Sequence, residues 1–317
     1  MTLEHWETYY RGGLLATCPT GPHGGYDLEL RDAWASFFGE LPDQARILDI
    51  GTGNGAVAAI ARDTGIELGR GWEIHASDLA RIDPMRDVPD AGARLSGIDF
   101  HPGVATERLP FDDASFDAVS GHYALEYAEL APALAELHRV LRPGGKAQFV
   151  IHHADSPLVR NARWSLRESE FVLKDTMAYR RLRRVVLAEN PDAPATRRAV
   201  ADLRAAIHAL RQALEQARQA GAGRVLAVTL DAIRQLLEAR RQARPDAVAR
   251  EVDHAEGELR ASVRRLNDLV ARARDEAGMV EIERLAGSAG FDVLERTSQT
   301  HAGSNVVGWR LRLQRRA

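Results

Sequence analysis

An apolar run that ends in aspartate and passes straight into three alternating glycines, Arg46-Ile-Leu-Asp-Ile-Gly-Thr-Gly-Asn-Gly55, constrains this chain more than any other feature. The run has the length and composition of a buried strand. Glycines at 51, 53 and 55 let the backbone bend sharply and come close to a ligand. A helix that follows such a turn aims its free N–H groups and positive dipole end at the ligand, an arrangement suited to a nucleotide-like molecule. Gly51-x-Gly53-x-x-Ala56 also satisfies the dinucleotide fingerprint, so residues elsewhere must decide between a dinucleotide and another adenosine ligand.

Around this turn, apolar runs and helical periodicities alternate. Residues 3–11 read as a short helix bearing Trp6, Tyr9 and Tyr10, residues 12–25 as a loop rich in Gly and Pro, and 27–39 as a helix with an apolar stripe of Trp34, Phe37 and Phe38. A helix over 55–64 follows the glycine turn. Strands are expected at 72–77, 98–100, 116–121 and 146–152, with a helix at 128–141 between the last two. A helix at 280–289 and strands at 291–297 and 306–314 complete the pattern. This predicts an α/β fold with a doubly wound, mostly parallel seven-stranded sheet, whose ligands gather at the carboxyl ends of the strands.

The sheet closes without the segment 157–278, which is expected to be an all-α insertion between the fifth strand and the last helix. Its apolar residues recur at spacings of three and four, as at Val200, Leu203, Ile207, Leu210 and Leu214, and again at Val252, Ala255 and Leu259. Pro191, Pro194, Gly221, Gly223, Pro245 and Gly278 divide it into about four helices. The organisation is therefore an N-terminal helical or lid segment (1–39), a core (40–156 and 279–317) and the insertion, either a substrate cap or a dimerisation arm.

Four further motifs follow the glycine turn in order: Ser77-Asp78-Leu79, Glu107-Arg108-Leu109-Pro110-Phe111, Ser115-Phe116-Asp117-Ala118-Val119 and Leu141-Arg142-Pro143-Gly144-Gly145-Lys146. Together with Asp49 ahead of the turn, the set resembles the class I S-adenosylmethionine-dependent methyltransferases, especially the small-molecule, type 11-like branch. The resemblance covers 40–153 closely and 280–313 loosely, and the insertion has no counterpart in the minimal domain. It implies S-adenosyl-L-methionine as cofactor, with Gly51, Thr52, Gly53 and Asn54 against its methionine and ribose part. By the same resemblance Asp49 would hold the amino group, Asp78 would accept hydrogen bonds from the ribose hydroxyls, and Leu79 would lie against adenine. Where the family commonly has an aspartate two residues before the Glu, this chain has Ala105, which leaves Thr106 or Glu107 for the adenine contact. Arg11 would bind the cofactor carboxylate if the N-terminal segment folds over the site.

Methyl transfer needs a positioned nucleophile and, for a hydroxyl, phenol or amine, a group that removes its proton. Topology brings His122, the neighbours His152 and His153, and His301 to one edge of the sheet, with one of His122 and His153 the expected catalytic base. Tyr123 and Glu126 either wall the substrate pocket, with Glu126 fixing the orientation, or are buried structural residues. His152-His153-x-Asp155 lacks the extra carboxylates of a metal site, so no metal is expected. Trp164, Phe171, Met177 and Tyr179 form either an apolar substrate wall or simply core.

Composition sets the outer bounds. The N-terminus lacks a basic start and a long apolar stretch, no apolar run reaches membrane-spanning length, and Cys18 is the sole cysteine, so a cytoplasmic protein without membrane partners is expected. The formal charge of −3 hides an asymmetry, because residues 157–280 hold 24 Lys and Arg against 17 Asp and Glu. That surplus admits a second reading, an RNA or protein methyltransferase docking through the insertion. Gly121-His122-Tyr123-Ala124 stands where base methyltransferases often carry an Asn/Asp-Pro-Pro-Tyr-like motif, which makes nucleic acid an unlikely partner. A third reading is a non-catalytic, cofactor-binding interaction protein. The leading expectation is O- or N-methylation of a small-molecule acceptor, with a possible homodimer through the insertion.

Overall fold

The strand predicted at the glycine turn, β1 (Arg46–Ile50), is an inner strand of a doubly wound sheet, and its side chains alternate between two cores. The computed structural model describes residues 4–16, 26, 28–303 and 305–317; Cys18 and most of the Gly- and Pro-rich loop lie outside them. In chain order the elements are α1 (Glu4–Tyr10), α2 (Leu28–Gly39), β1, α3 (Ala56–Leu68), β2 (Glu73–Asp78), α4 (Pro84–Asp87), α5 (Ala91–Arg94), β3 (Ile98–Pro102), β4 (Phe116–His122), α6 (Leu130–Val140) and β5 (Leu141–His152). After the insertion come α12 (Glu276–Ser288), β6 (Phe291–His301) and β7 (Asn305–Arg315).

The strand order is β3-β2-β1-β4-β5-β7-β6, parallel from β3 to β5, with β7 antiparallel to both its neighbours. Successive crossovers move outward one way from β1 through β2 to β3, and the other way from β4 to β5. The order therefore reverses between β1 and β4, and a crevice opens at their carboxyl ends. On one face Ile47 packs with Trp34, Phe37 and Phe38 of α2 and Val57 and Ala61 of α3. On the other, Leu48, Val119 and Phe149 meet Leu134 and Leu137 of α6 and Met279 and Ile282 of α12.

Several boundaries differ from the sequence expectation: α3 runs on to Leu68 and β6 to His301, and two further shifts have a visible cause. β5 begins at Leu141, because Leu141 already pairs with Phe116 ahead of the irregularity at Pro143–Gly145. α12 starts at Glu276 and includes Gly278, the expected helix breaker, because Asp275 caps the first turn by accepting from the Gly278 N–H at 2.9 Å.

The chain divides into two compact units, Met1–Val159 with Arg272–Ala317, and Arg160–Ala271. The second contains most of α7 (Pro157–Glu170), a π-helical turn at Phe171–Asp175, α8 (Ala178–Val186), α9 (Pro194–Gln219), α10 (Arg224–Ala239) and most of α11 (Pro245–Arg272). Leu182, Leu203, Leu210, Ile233 and Val252 form its core, joined by Phe171 and Tyr179. It has five helices, not four. The unforeseen break is at Met177, in the left-handed region with φ 45°. Among the described residues no helix is long and apolar enough to cross a membrane.

Candidate active site

Two carboxylates stand buried at the carboxyl ends of β1 and β2. Asp49 accepts from Thr52 Oγ1 at 2.6 Å and from Ser120 Oγ at 2.7 Å, the latter from the neighbouring strand β4. Asp78 accepts from the N–H of Gly53 at 2.8 Å through one oxygen and from that of Ala80 at 2.8 Å through the other. The Thr52 N–H bonds to the Ser77 carbonyl, which ties the glycine turn to β2. Burial pushes the Asp49 carboxyl up to about 7, with the Asp78 charge adding to the rise and the hydroxyl bonds opposing it. Burial also pushes Asp78 up to about 6 against its two backbone donors. No cationic side chain pairs with either among the described residues.

The glycine turn closes against the N-terminal segment. Gly51 and Gly53 have φ of 55° and 54°, the left-handed region that glycine occupies without cost. A Cβ on Gly53 would meet the Tyr10 ring at 2.7 Å, and one on Gly51 would meet Ala124 Cβ at 2.5 Å. Asn54 does not line a ligand surface with its amide nitrogen. Instead Nδ2 donates to the carbonyls of Tyr10 and Leu14, and only its buried Oδ1 has no partner. The N-terminal segment thus reaches the turn through backbone and aromatic contacts, with Trp6 stacked on Tyr10 and edge-on to Tyr127. Arg11 takes no part: it is exposed and forms an i,i+4 pair with Glu7 at 3.7 Å.

Around the expected adenine position the assignments separate. Leu79 is half exposed just beyond Asp78, and Thr106 is partly buried. Glu107 is engaged elsewhere, accepting from the Glu129 N–H at the start of α6 at 2.7 Å. That bond satisfies a donor left open at a helix end and draws the carboxylate away from an adenine role.

The histidines are rearranged relative to the sequence reading. His122 is buried, stacks on Tyr26 at 4.5 Å, and receives a hydrogen bond at Nδ1 from Trp34 Nε1 at 3.2 Å. Because an indole nitrogen only donates, the neutral His122 ring keeps its proton on Nε2, which is buried and without a partner. Burial, with the charge of His152 nearby, lowers its pKa to about 3. Such a ring offers a hydrogen bond and does not take a proton.

His153, the other expected catalytic residue, turns away. Its ring stacks on Trp309 at 4.3 Å and its Nδ1 accepts from the Asp155 N–H at 3.1 Å. Adjacent strand residues face opposite sides, so His152 points inward. Its Nδ1 lies 2.7 Å from Oε1 of Glu126, which is fully buried, and that same oxygen accepts from the His152 N–H at 2.9 Å. Tyr123 stacks on this imidazole at 3.8 Å and donates its hydroxyl to the Val307 carbonyl. A carboxylate at Nδ1 holds the proton there and leaves the lone pair on Nε2, the tautomer of a general base.

Part of the chain is similar to known methyltransferases. Residues 48–149 match the family model described as a methyltransferase domain. Over that stretch, about a third of the chain, the protein is similar to a methyltransferase domain. A demethylmenaquinone methyltransferase of Chlorobaculum parvum is 35% identical over 109 residues, covering 34% of this chain and 41% of that protein. A malonyl-[acyl-carrier protein] O-methyltransferase of Enterobacter lignolyticus is 33% identical over 120 residues, 37% of this chain and 43% of that one. The chain spans less than half the length of these curated relatives. Among solved structures, a 1,6-didemethyltoxoflavin-N1-methyltransferase of Burkholderia thailandensis aligns over 92% of this chain and 79% of its own at 13% identity, with a TM-score of 0.43.

At this site the sequence did not reveal Ser120, the bond from Trp34 to His122 or the pairing of Glu126 with His152. Glu126 had been expected to orient Tyr123. A third polar cluster, His75 with Asp99 and His101, also went unnoticed, because no motif spans its two strands.

Proposed function

We propose that the chain methylates a small-molecule acceptor, with Asp49 and Asp78 holding the cofactor and the Glu126–His152 pair removing the acceptor's proton. The observation that carries the reading is the pair of buried carboxylates flanking the glycine turn, both raised toward neutrality and neither matched by a cation of the protein. A ligand that brings positive charge and donor hydroxyls suits them, and S-adenosylmethionine has an ammonium, a sulfonium and a ribose. When bound it supplies an electrophilic methyl group. Asp49 would hold the ammonium, and Asp78, already fixed by two backbone N–H groups, would use its remaining lone pairs for the ribose hydroxyls. His152 Nε2 would take the proton of a hydroxyl, phenol or amine, while Glu126 stabilises the imidazolium that forms. His122 would donate from Nε2 and keep the acceptor oriented.

The family match ends at residue 149, ahead of the insertion, so the cofactor half is shared and the acceptor half is this chain's own. The relatives' acceptors, demethylmenaquinone and a malonyl-carrier protein, therefore set no acceptor here, and the insertion remains a cap or an assembly arm. Docking of RNA through the insertion is disfavoured. Much of its positive charge is spent locally, as in Arg183–Asp253, Arg234–Asp231 and Arg260–Glu256. A cytoplasmic enzyme fits this reading.

The test has two parts. Calorimetry should show S-adenosylhomocysteine binding more tightly than NAD; the reverse order removes the cofactor assignment. With an acceptor found from a panel of phenols, enols and amines, His152→Gln and Glu126→Gln should slow turnover by about 10²–10⁴-fold at unchanged cofactor affinity, and His153→Ala should not. A loss confined to His153→Ala would overturn the choice of base.

A further inference from the structure

His75 lies on β2 opposite Asp99 on β3, and His101 is two residues further along β3, so the three side chains share one face of the sheet. Among the described residues they are the one group of three His, Cys, Asp or Glu side chains with ligand atoms gathered within 4.8 Å. His75 Nδ1 is 2.9 Å from His101 Nε2 and 3.4 Å from Asp99 Oδ2, and His101 Nε2 is 3.3 Å from that same oxygen. Around an ion bound at about 2.0–2.1 Å, tetrahedral donors stand about 3.3–3.4 Å apart. Two edges of the triangle have that length, and the third needs to open by a few tenths of an ångström.

The surroundings prepare His75 for such a role. Its Nε2 lies 2.6 Å from Glu73 Oε1 and 3.3 Å from the Arg46 Nε donor; the Glu73 contact suits the tautomer that an ion requires, with the ring proton on Nε2 and Nδ1 as the ligand. Arg46 also approaches Nε2, at 3.1 Å, but it bonds to the same Glu73 oxygen at 3.0 Å and stands on the far side of the ring from Nδ1. Phe111 and Phe116 pack edge-on against His75 at 5.4 and 5.5 Å, and Phe111 against His101 at 5.0 Å, forming a dry wall behind the ligands. His75 is buried, His101 half-buried and Asp99 exposed, so the fourth side of the cluster opens to water.

We propose that His75, Asp99 and His101 bind a zinc-type divalent ion, with water completing the coordination. Two imidazoles and one carboxylate suit zinc or cobalt better than magnesium or calcium, which prefer oxygen ligands. The ion would fasten edge strand β3 to β2. Asp78 lies three residues further along β2, about 10 Å away, so the site does not touch the cofactor.

The test uses the full-length chain stripped with a chelator and titrated with Zn²⁺ by calorimetry and with Co²⁺ by visible absorption. The expected result is one ion per chain, a tetrahedral-type cobalt spectrum and a higher melting temperature with zinc. The double variant Asp99→Asn/His101→Asn alters only exposed or half-exposed side chains and should weaken zinc binding by at least about 100-fold, while Glu73→Gln should weaken it by about tenfold. Circular dichroism and unchanged S-adenosylhomocysteine binding confirm that the variants fold. Absence of stoichiometric binding overturns the proposal, as does undiminished binding to the folded double variant, which would place the ion on other histidines.

Discussion

The two carboxylates at the glycine turn make cofactor affinity depend on pH in a way that can be worked out. With its pKa pushed up to about 7, Asp49 is ionised in about one chain in a hundred at pH 5 and in about half at pH 7. If the cofactor's ammonium is held by the ionised form, affinity falls by about 50-fold between pH 7 and pH 5 through this residue alone. Asp78, at about 6, contributes about a further tenfold if the two act independently. Asp49→Asn keeps the shape and one acceptor for Thr52 and Ser120 but cannot titrate, so its affinity should change by only the tenfold from Asp78. The assay is calorimetric titration with S-adenosylhomocysteine across pH 5–7, in buffers of different ionisation enthalpy so that released protons are counted. A flat affinity over this range, or the same slope in Asp49→Asn, would refute the argument. The ligand-free fold responds with the opposite sign. Because the folded value of Asp49 lies above its ordinary 3.8, its contribution to stability is fully present below about pH 4 and is lost as pH rises through 7. The cost reaches on the order of 4 kcal/mol, and bound cofactor should cancel much of it.

Three further outcomes follow from the geometry. Gly53→Ala puts a Cβ into the Tyr10 ring at a left-handed position, a backbone cost alone of about 1–2 kcal/mol, and urea denaturation and cofactor titration should both show the loss. Trp34→Phe leaves the buried His122 Nδ1 without its donor and should destabilise the chain by about 1–3 kcal/mol in thermal melts, beyond any loss of packing. Replacing residues 160–271 with a short flexible linker should give a folded core that binds S-adenosylhomocysteine with unchanged affinity by calorimetry, since Asp49, Asp78 and the glycine turn all lie outside that segment.

The parallel half of the sheet was legible because most of its strands begin or end at a motif with its own chemistry, as β1 ends at Asp49 and the glycine turn and β2 at Asp78. Side-chain partners were far less so. Alternation along β5 says that His152 and His153 face opposite ways, but which one faces inward depends on Glu126, 26 residues earlier. The role of Asn54 was hidden for the same reason, since its partners Tyr10 and Leu14 lie 44 and 40 residues upstream. The break at Met177 carries neither Gly nor Pro, so periodicity ran through it. Around Pro143-Gly144-Gly145 the expected strand started only at 146, whereas it begins at Leu141.

The backbone of Arg274 donates to the His152 carbonyl and accepts from the Ala154 N–H, at 2.7 and 2.9 Å, so β5 is stitched directly to the point where the chain returns from the insertion. Drawing those ends together across about 120 residues of unstructured chain would cost about 4 kcal/mol of closure entropy. If the helical unit forms first, its own core fixes the distance between its termini, and most of that penalty is gone before β6 and β7 dock. Refolding should then slow when the helical core is weakened, at Leu210 or Ile233 for example, although both residues belong to the helical unit's own cluster.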